Sequence, residues 1–154
     1  MADYYLDSSA LVKRYISETG SAWVIRLFDP RLRNEIFVGA ITAVEVVAAI
    51  TRRTRGGTIS ATSAKAICSL FRSDLLTSYQ VVELTDVVIN RAMTTAETYG
   101  LRGYDAVQLA AALEVSALGT GSGLPPMTFV SADNELNAAA AHAGLVVENP
   151  NAHP

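Results

Sequence analysis

Apolar residues along the chain fall into two alternating kinds of segment. Short runs rich in aromatic and β-branched residues occupy about 3–7, 36–41, 80–84, 127–131 and 145–147 and read as strands. Longer segments with apolar residues every three or four positions lie between them and predict helices over about 9–15, 22–28, 42–53, 60–78, 86–99, 106–118 and 133–143. The punctuation agrees. Ser60 and Thr85 stand as N-caps, Thr42-Ala43-Val44-Glu45 has the form of a capping box, and Asp29-Pro30, Gly100 and Gly144 stand as stops. Residues 106–113 are apolar on nearly every helical face, which predicts a deeply buried helix. Residues 119–126, rich in Gly, Ser and Pro, predict a loop. Strands that alternate with helices predict an α/β fold: one three-layer α/β/α domain over 1–148 around a central, mostly parallel five-stranded sheet. A frayed tail is expected over 149–154.

Composition narrows the classes. Half of the 154 residues are hydrophobic and 18% are charged, which fits a globular chain and excludes a disordered one. With 12 basic and 15 acidic residues the net charge is −3, so any grip on nucleic acid must come from a local patch. The single cysteine, Cys68, excludes an internal disulfide and suits a reducing compartment. Asp3 and Asp7 stand where a secretory signal would carry basic residues, and no charge-free apolar run approaches the ~20 residues of a membrane span. A soluble, cytoplasmic protein with no membrane partner is expected.

The candidate chemistry is acidic. Asp7 ends the first strand, Glu45 falls in the expected first turn of the helix after the second, Asp105 opens the apolar helix, and Asp133 follows the fourth strand. In a parallel α/β sheet, ligands bind beyond the carboxyl ends of the strands, so three of these acids belong to one edge and Asp105 joins them if its helix packs there. Each acid alone also fits a simpler role at a helix start, by capping or by complementing the helix dipole. Gathered, they carry a cost: two carboxylates 4 Å apart repel by about 4 kcal/mol at an effective dielectric of 20. Such a cluster holds protons at raised pKa or binds a hard cation such as Mg²⁺ or Mn²⁺. The two histidines, His142 near a helix end and His153 in the tail, supply no convincing base, and Cys68 reads as packing. Metal-activated water is the chemistry that remains.

Tyr5-Leu6-Asp7-Ser8-Ser9-Ala10-Leu11, Thr42-Ala43-Val44-Glu45-Val46, Tyr104-Asp105-Ala106-Val107-Gln108-Leu109-Ala110 and Val130-Ser131-Ala132-Asp133 resemble, in order, the four motifs of PIN-domain nucleases. The length is similar to that of the VapC toxins of VapBC toxin–antitoxin modules. The resemblance implies Mg²⁺- or Mn²⁺-dependent endonucleolytic cleavage of RNA, a homodimer, and inhibition by a small antitoxin whose tail enters the active-site groove. Asp7, Glu45, Asp105 and Asp133 match the family's catalytic, metal-binding acids, with Ser9 and Ser131 in support. Two features depart from it: the stretch 119–126 is longer than usual, and Asn134-Glu135 stand where many relatives carry a basic residue.

Lys13 and Arg14 at the end of the first helix, with Arg52, Arg53 and Arg55 at the end of the third, form the candidate RNA-binding patch. The same cations also fit a role as complements to helix dipoles. Tyr104 is placed either to stack on a base or in the core, and Trp23, Leu27 and Phe28 form one helical face, expected mostly as core with an outer edge free for a partner. Two other readings remain. One is a phosphatase with Asp7 as nucleophile, weakened by Ser9 standing where a second acid is required. The other is a non-catalytic PIN-like module binding RNA or protein, at odds with the presence of all four acids.

Overall fold

The computed structural model describes residues 1–153; Pro154, the last residue of the expected tail, lies outside the described residues. Five strands, β1 (Asp3–Leu6), β2 (Glu35–Gly39), β3 (Gln80–Val82), β4 (Thr128–Val130) and β5 (Val146–Glu148), form one sheet in the order β3-β2-β1-β4-β5. All four pairings are parallel. The helices are α1 (Ser8–Leu11, continued by a 3-10 turn Val12–Arg14), α2 (Ser21–Leu27), α3 (Ala40–Arg55), α4 (Ala61–Thr77), α5 (Asp86–Tyr99), α6 (Gly103–Gly121) and α7 (Asn134–His142).

Alternation along the strands splits the core into two layers. Leu6, Val38 and Val130 face one side, where they meet Leu11, Val24, Ile50 and Phe71 from α1 to α4. Tyr5, Phe37 and Phe129 face the other, against Val88, Leu109, Leu136 and Ala140 from α5, α6 and α7. Tyr5 and Phe129 stack at 5.7 Å across the β1–β4 pair. The chain builds outward from β1 in one direction through β2 and β3, then returns to its other side with β4. The direction of winding reverses between β1 and β4, and the ends of these two strands are where an open parallel sheet binds its ligands.

The expected elements are all present, with four corrections. The third helix starts at Ala40, not after Thr42, and Glu45 lies in its second turn. The capping box does not form, because Thr42 is fully buried with its hydroxyl against Gln108 rather than on the helix end. Gly39 takes the chain from strand to helix with no linking residue, and a Cβ there would sit 2.6 Å from the Tyr5 hydroxyl oxygen. Next, α6 starts three residues early and runs through Gly121, so the expected loop over 119–126 shrinks. Thr120 and Ser122 turn their hydroxyls back onto the carbonyls of Ser116 and Leu118 and carry the helix end across the glycines. Third, Asp105 is not an N-cap; Arg102 holds that position and makes no side-chain capping bond. Finally, the tail is not frayed. Asn149 caps a 3-10 turn at Pro150–Ala152, Pro150 is buried, and the His153 ring stacks on Trp23 at 4.6 Å. The stacking surface comes from α2, which is why the short polar tail alone gives no sign of it.

Candidate active site

Asp7 stands at the end of β1 and caps α1. Its Oδ1 accepts from the backbone N–H of Ala10 at 2.9 Å and from Ser9 Oγ at 2.7 Å. Its Oδ2 accepts from Ser131 Oγ at 2.7 Å. The two serines belong to a wider net: Ser9 Oγ accepts from the Ala132 N–H, and Ser131 Oγ from the Asp133 N–H at 3.0 Å. The loop after β4 is thereby sewn to the loop after β1. Only 4% of Asp7 is exposed, and burial pushes its carboxyl from the ordinary 3.8 up to about 6, against the pull of these donors.

Glu45 is half-buried and accepts from Gln108 Nε2 at 2.6 Å. Gln108, on the buried face of α6, accepts in turn from the Tyr5 hydroxyl at 3.0 Å, with Thr42 Oγ1 2.8 Å from its amide nitrogen. Burial raises the Glu45 carboxyl, while hydrogen bonds from Gln108 and Ser8 oppose the rise and the Asp105 charge adds to it. Asp105 lies in the first turn of α6 and is also raised, first by burial and then by the charge of Asp133, with Arg102 opposing. Asp133 caps α7, accepting from the N–H groups of Glu135 and Leu136.

The fold therefore links the four acids in a row of like charges: Glu45 acts on Asp7, Asp105 on Glu45, and Asp133 on Asp105. Glu135 also raises Asp105 and adds a fifth carboxylate to this edge. Among the described residues, no three His, Cys, Asp or Glu side chains are close enough to enclose one ion. The donor chemistry nevertheless fits a hard divalent cation: every group is a carboxylate oxygen, and three of them resist ionisation without a counter-charge. Mg²⁺ in particular keeps several waters and binds through one or two carboxylates with substrate phosphates, so it does not need a closed protein cage.

The expected basic patch does not hold together. Lys13 is buried and donates to Glu18 Oε1 and to the Thr19 carbonyl, both at 2.9 Å. Arg14 lies 3.9 Å over the Phe28 ring and donates to the Tyr79 hydroxyl at 2.7 Å. Arg53 pairs with Glu18. Lys13 is held inside the protein, and Arg14 and Arg53, both partly exposed, are tied to neighbours that helix-end position alone does not reveal. Arg52 and Arg55 are exposed, with no side-chain ion pair among the described residues, and join Arg72 around a groove of about 530 Å³ between α3 and α4. The floor of that groove is Ala43, Val47, Ala48 and Leu75. Of the α2 face, Leu27 is buried, Trp23 carries His153, and Phe28 lies under Arg14. Tyr104 is 64% exposed beside Asp105, which excludes the core position.

Sequence reasoning missed Gln108, Arg102 and Asn137. Gln108 carried a signal, being the one amide among the apolar residues of the helix; a buried amide needs partners. Arg102 stands three residues before Asp105 at the helix start. Asn137, one turn after Asp133, donates to the Ser131 carbonyl at 2.7 Å and gave no sign of doing so.

The chain is similar to known proteins over nearly its whole length. Ribonuclease VapC45 of Mycobacterium tuberculosis (strain CDC 1551 / Oshkosh) is 32% identical over 143 residues, which cover 93% of this chain and 92% of that protein. The crystal structure of PAE2754 from Pyrobaculum aerophilum superimposes with a TM-score of 0.61 at 23% identity, over 95% of this chain and 89% of that one. A toxin–antitoxin complex from Klebsiella pneumoniae matches with a TM-score of 0.58 at 16% identity, over 96% and 97% of the two chains. These two structures share the fold. The model of the PIN domain family matches residues 4–141, from the first strand through the helix that Asp133 caps, and the chain belongs to that family.

Proposed function

We propose that this protein is a metal-dependent endoribonuclease of the VapC kind, hydrolysing RNA phosphodiester bonds as the toxin of a toxin–antitoxin pair. The observation that carries the reading is the row of four coupled carboxylates at the switch point of the sheet, three of them raised in pKa. The similarity to a named ribonuclease supports the substrate.

Mg²⁺, with Mn²⁺ as substitute, would be held by one or two at a time of Asp7, Glu45, Asp105 and Asp133, with waters and the substrate phosphate as its other ligands. When bound, such an ion neutralises the acids, polarises a phosphate and lowers the pKa of a coordinated water. The chain supplies the rest. Ser9 and Ser131 fix the orientation of Asp7, and Gln108 fixes Glu45. Arg102 beside Asp105 is placed to hold a backbone phosphate, and exposed Tyr104 to stack on an unpaired base. Arg52 and Arg55 belong instead to the α3–α4 groove, whose apolar floor and cationic rim suit an amphipathic segment of the antitoxin that carries acidic residues. The assembly proposed is a homodimer. No helix among the described residues is long and apolar enough to cross a membrane, and the setting proposed is the cytoplasm.

The test is cleavage of a mixed RNA substrate by purified protein in Mg²⁺, in Mn²⁺ and in EDTA. Fragments are expected with either ion and none with chelator, and Asp7→Asn is expected to be inactive. Full cleavage after chelation, with metal removal confirmed by elemental analysis, overturns the metal-dependent reading.

A further inference from the structure

We infer that the segment from Glu148 to His153 is a strap that positions the acidic edge, clasped in place by the stacking of His153 on Trp23. This inference rests on the metal-site reading above and adds residues to which that reading gives no role.

The strap leaves β5 at the margin of the sheet and ties together helices from opposite layers. At its start, the Glu148 carbonyl accepts from the Ser131 N–H at 3.2 Å. Ser131 is the residue whose hydroxyl holds Asp7 and receives the Asp133 N–H. At its next residue, Asn149 Nδ2 donates to Asn134 Oδ1 at 2.9 Å, at the first position of α7 beside Asp133. Beyond these two contacts the chain turns onto the other layer. Pro150 is buried against the loop before α2, where its carbonyl oxygen would lie 2.3 Å from a Cβ on Gly20. Gly20 has φ +84°, so both its conformation and the space above it suit glycine alone. The clasp closes with the His153 ring 4.6 Å from Trp23 at an interplanar angle of 5°, its Nε2 2.9 Å from Glu148 Oε2.

The six residues from Glu148 to His153 do not order themselves by local propensity. Here the segment is ordered by buried Pro150 near its middle, by the His153–Trp23 stack at its far end and by the His153–Glu148 pair that joins its two ends. Its near end holds the junction between β4 and α7, and that junction holds Asp7 and Asp133. The clasp thus acts on the acids through two bonded contacts, Glu148 to Ser131 and Asn149 to Asn134, without approaching them. His153 and Asn149 are positioning residues.

Trp23 is the only tryptophan of the chain, so its emission reports the clasp directly. The experiment uses the full chain with Mn²⁺ as probe and measures metal affinity by calorimetry and indole emission by fluorescence. Wild type is compared with His153→Ala, which removes the stacking ring, His153→Phe, which keeps a ring, and Asn134→Ala, which cuts the tie to α7 and leaves the Asn149 cap of the turn in place. Partners of metal ligands typically govern about 10–100-fold in affinity, and the strap acts one step further out, so about fivefold is expected. His153→Ala should weaken Mn²⁺ by that factor and shift emission to longer wavelength as water reaches the indole. His153→Phe should restore both. Asn134→Ala should weaken Mn²⁺ with emission unchanged, which a purely structural clasp does not predict. Wild-type affinity in either Ala variant, where the protein is folded, overturns the strap. If His153→Ala does not fold, Asn134→Ala alone decides by the same criterion. A wild type that binds Mn²⁺ but cleaves no RNA overturns the nuclease reading and leaves the strap to its own result, while a wild type that binds no Mn²⁺ overturns both.

Discussion

Asp7 is caught between two demands. Its burial raises the carboxyl from 3.8 to about 6, yet a metal site needs it ionised. A group harder to ionise in the folded than in the unfolded chain favours folding fully below about pH 4, and loses that contribution as the pH rises through about 6. The difference corresponds to about 3 kcal/mol at pH 7 without metal. Asp7→Asn removes the charge and keeps the shape, so the metal-free variant should melt above wild type at pH 7, and the gap should close below pH 4. Saturating Mg²⁺ at 100 times its dissociation constant should add about 2.7 kcal/mol to wild type and much less to the variant. Four melting curves, with EDTA and with Mg²⁺, check this; equal gains from metal would remove Asp7 from the ligand set. Among single residues, the acids were legible because strand ends and helix starts mark them in the sequence. The helix-end cations were not, because Lys13 and Arg53 look the same in a sequence whether they meet water or the shared carboxylate of Glu18.

At the scale of elements, the strand–helix order and the parallel sheet followed from periodicity, whereas the start of α3 did not. A capping box is a local signal, and Thr42 was drawn away from it by Gln108, a partner on another helix. That shift moved Glu45 into the second turn, where the same amide meets it. The join between β2 and α3 rests on the close approach of Gly39 to the Tyr5 hydroxyl. Gly39→Ala should destabilise the protein by about 1–3 kcal/mol, the usual cost of overpacking. Tyr5→Phe should relieve much of that clash by removing the oxygen, at the expense of one hydrogen bond to Gln108. The double variant should therefore be more stable than the sum of the two single losses. Denaturant melts of the four proteins test it, and strict additivity would mean that the two groups do not meet.

For the molecule as a whole, the net charge of −3 hides a cationic rim at one groove. If an acidic antitoxin segment lies there, Arg72→Glu should weaken the complex with the antitoxin by at least about tenfold, chiefly in association and more at low salt. RNA cleavage by the free protein should be unchanged. Binding measured at two ionic strengths checks this, and an unaltered affinity would place the partner elsewhere. The order of strands and helices was readable across residues 4–141, the span of the family match. The groove and the docked tail were not, since each is made by segments far apart in the sequence. The same long reach has a consequence for how the protein comes into being. Ser131 and Asp7, which share a hydrogen bond, are 124 positions apart. At about 5–20 residues per second, a ribosome needs about 6–25 s to travel between them. Throughout that interval a nascent chain carries Asp7 without the strand that flanks it or the serine that aims it. The acidic edge is thus completed only once β4 has been synthesised, and a prematurely terminated copy that lacks β4 is born without it.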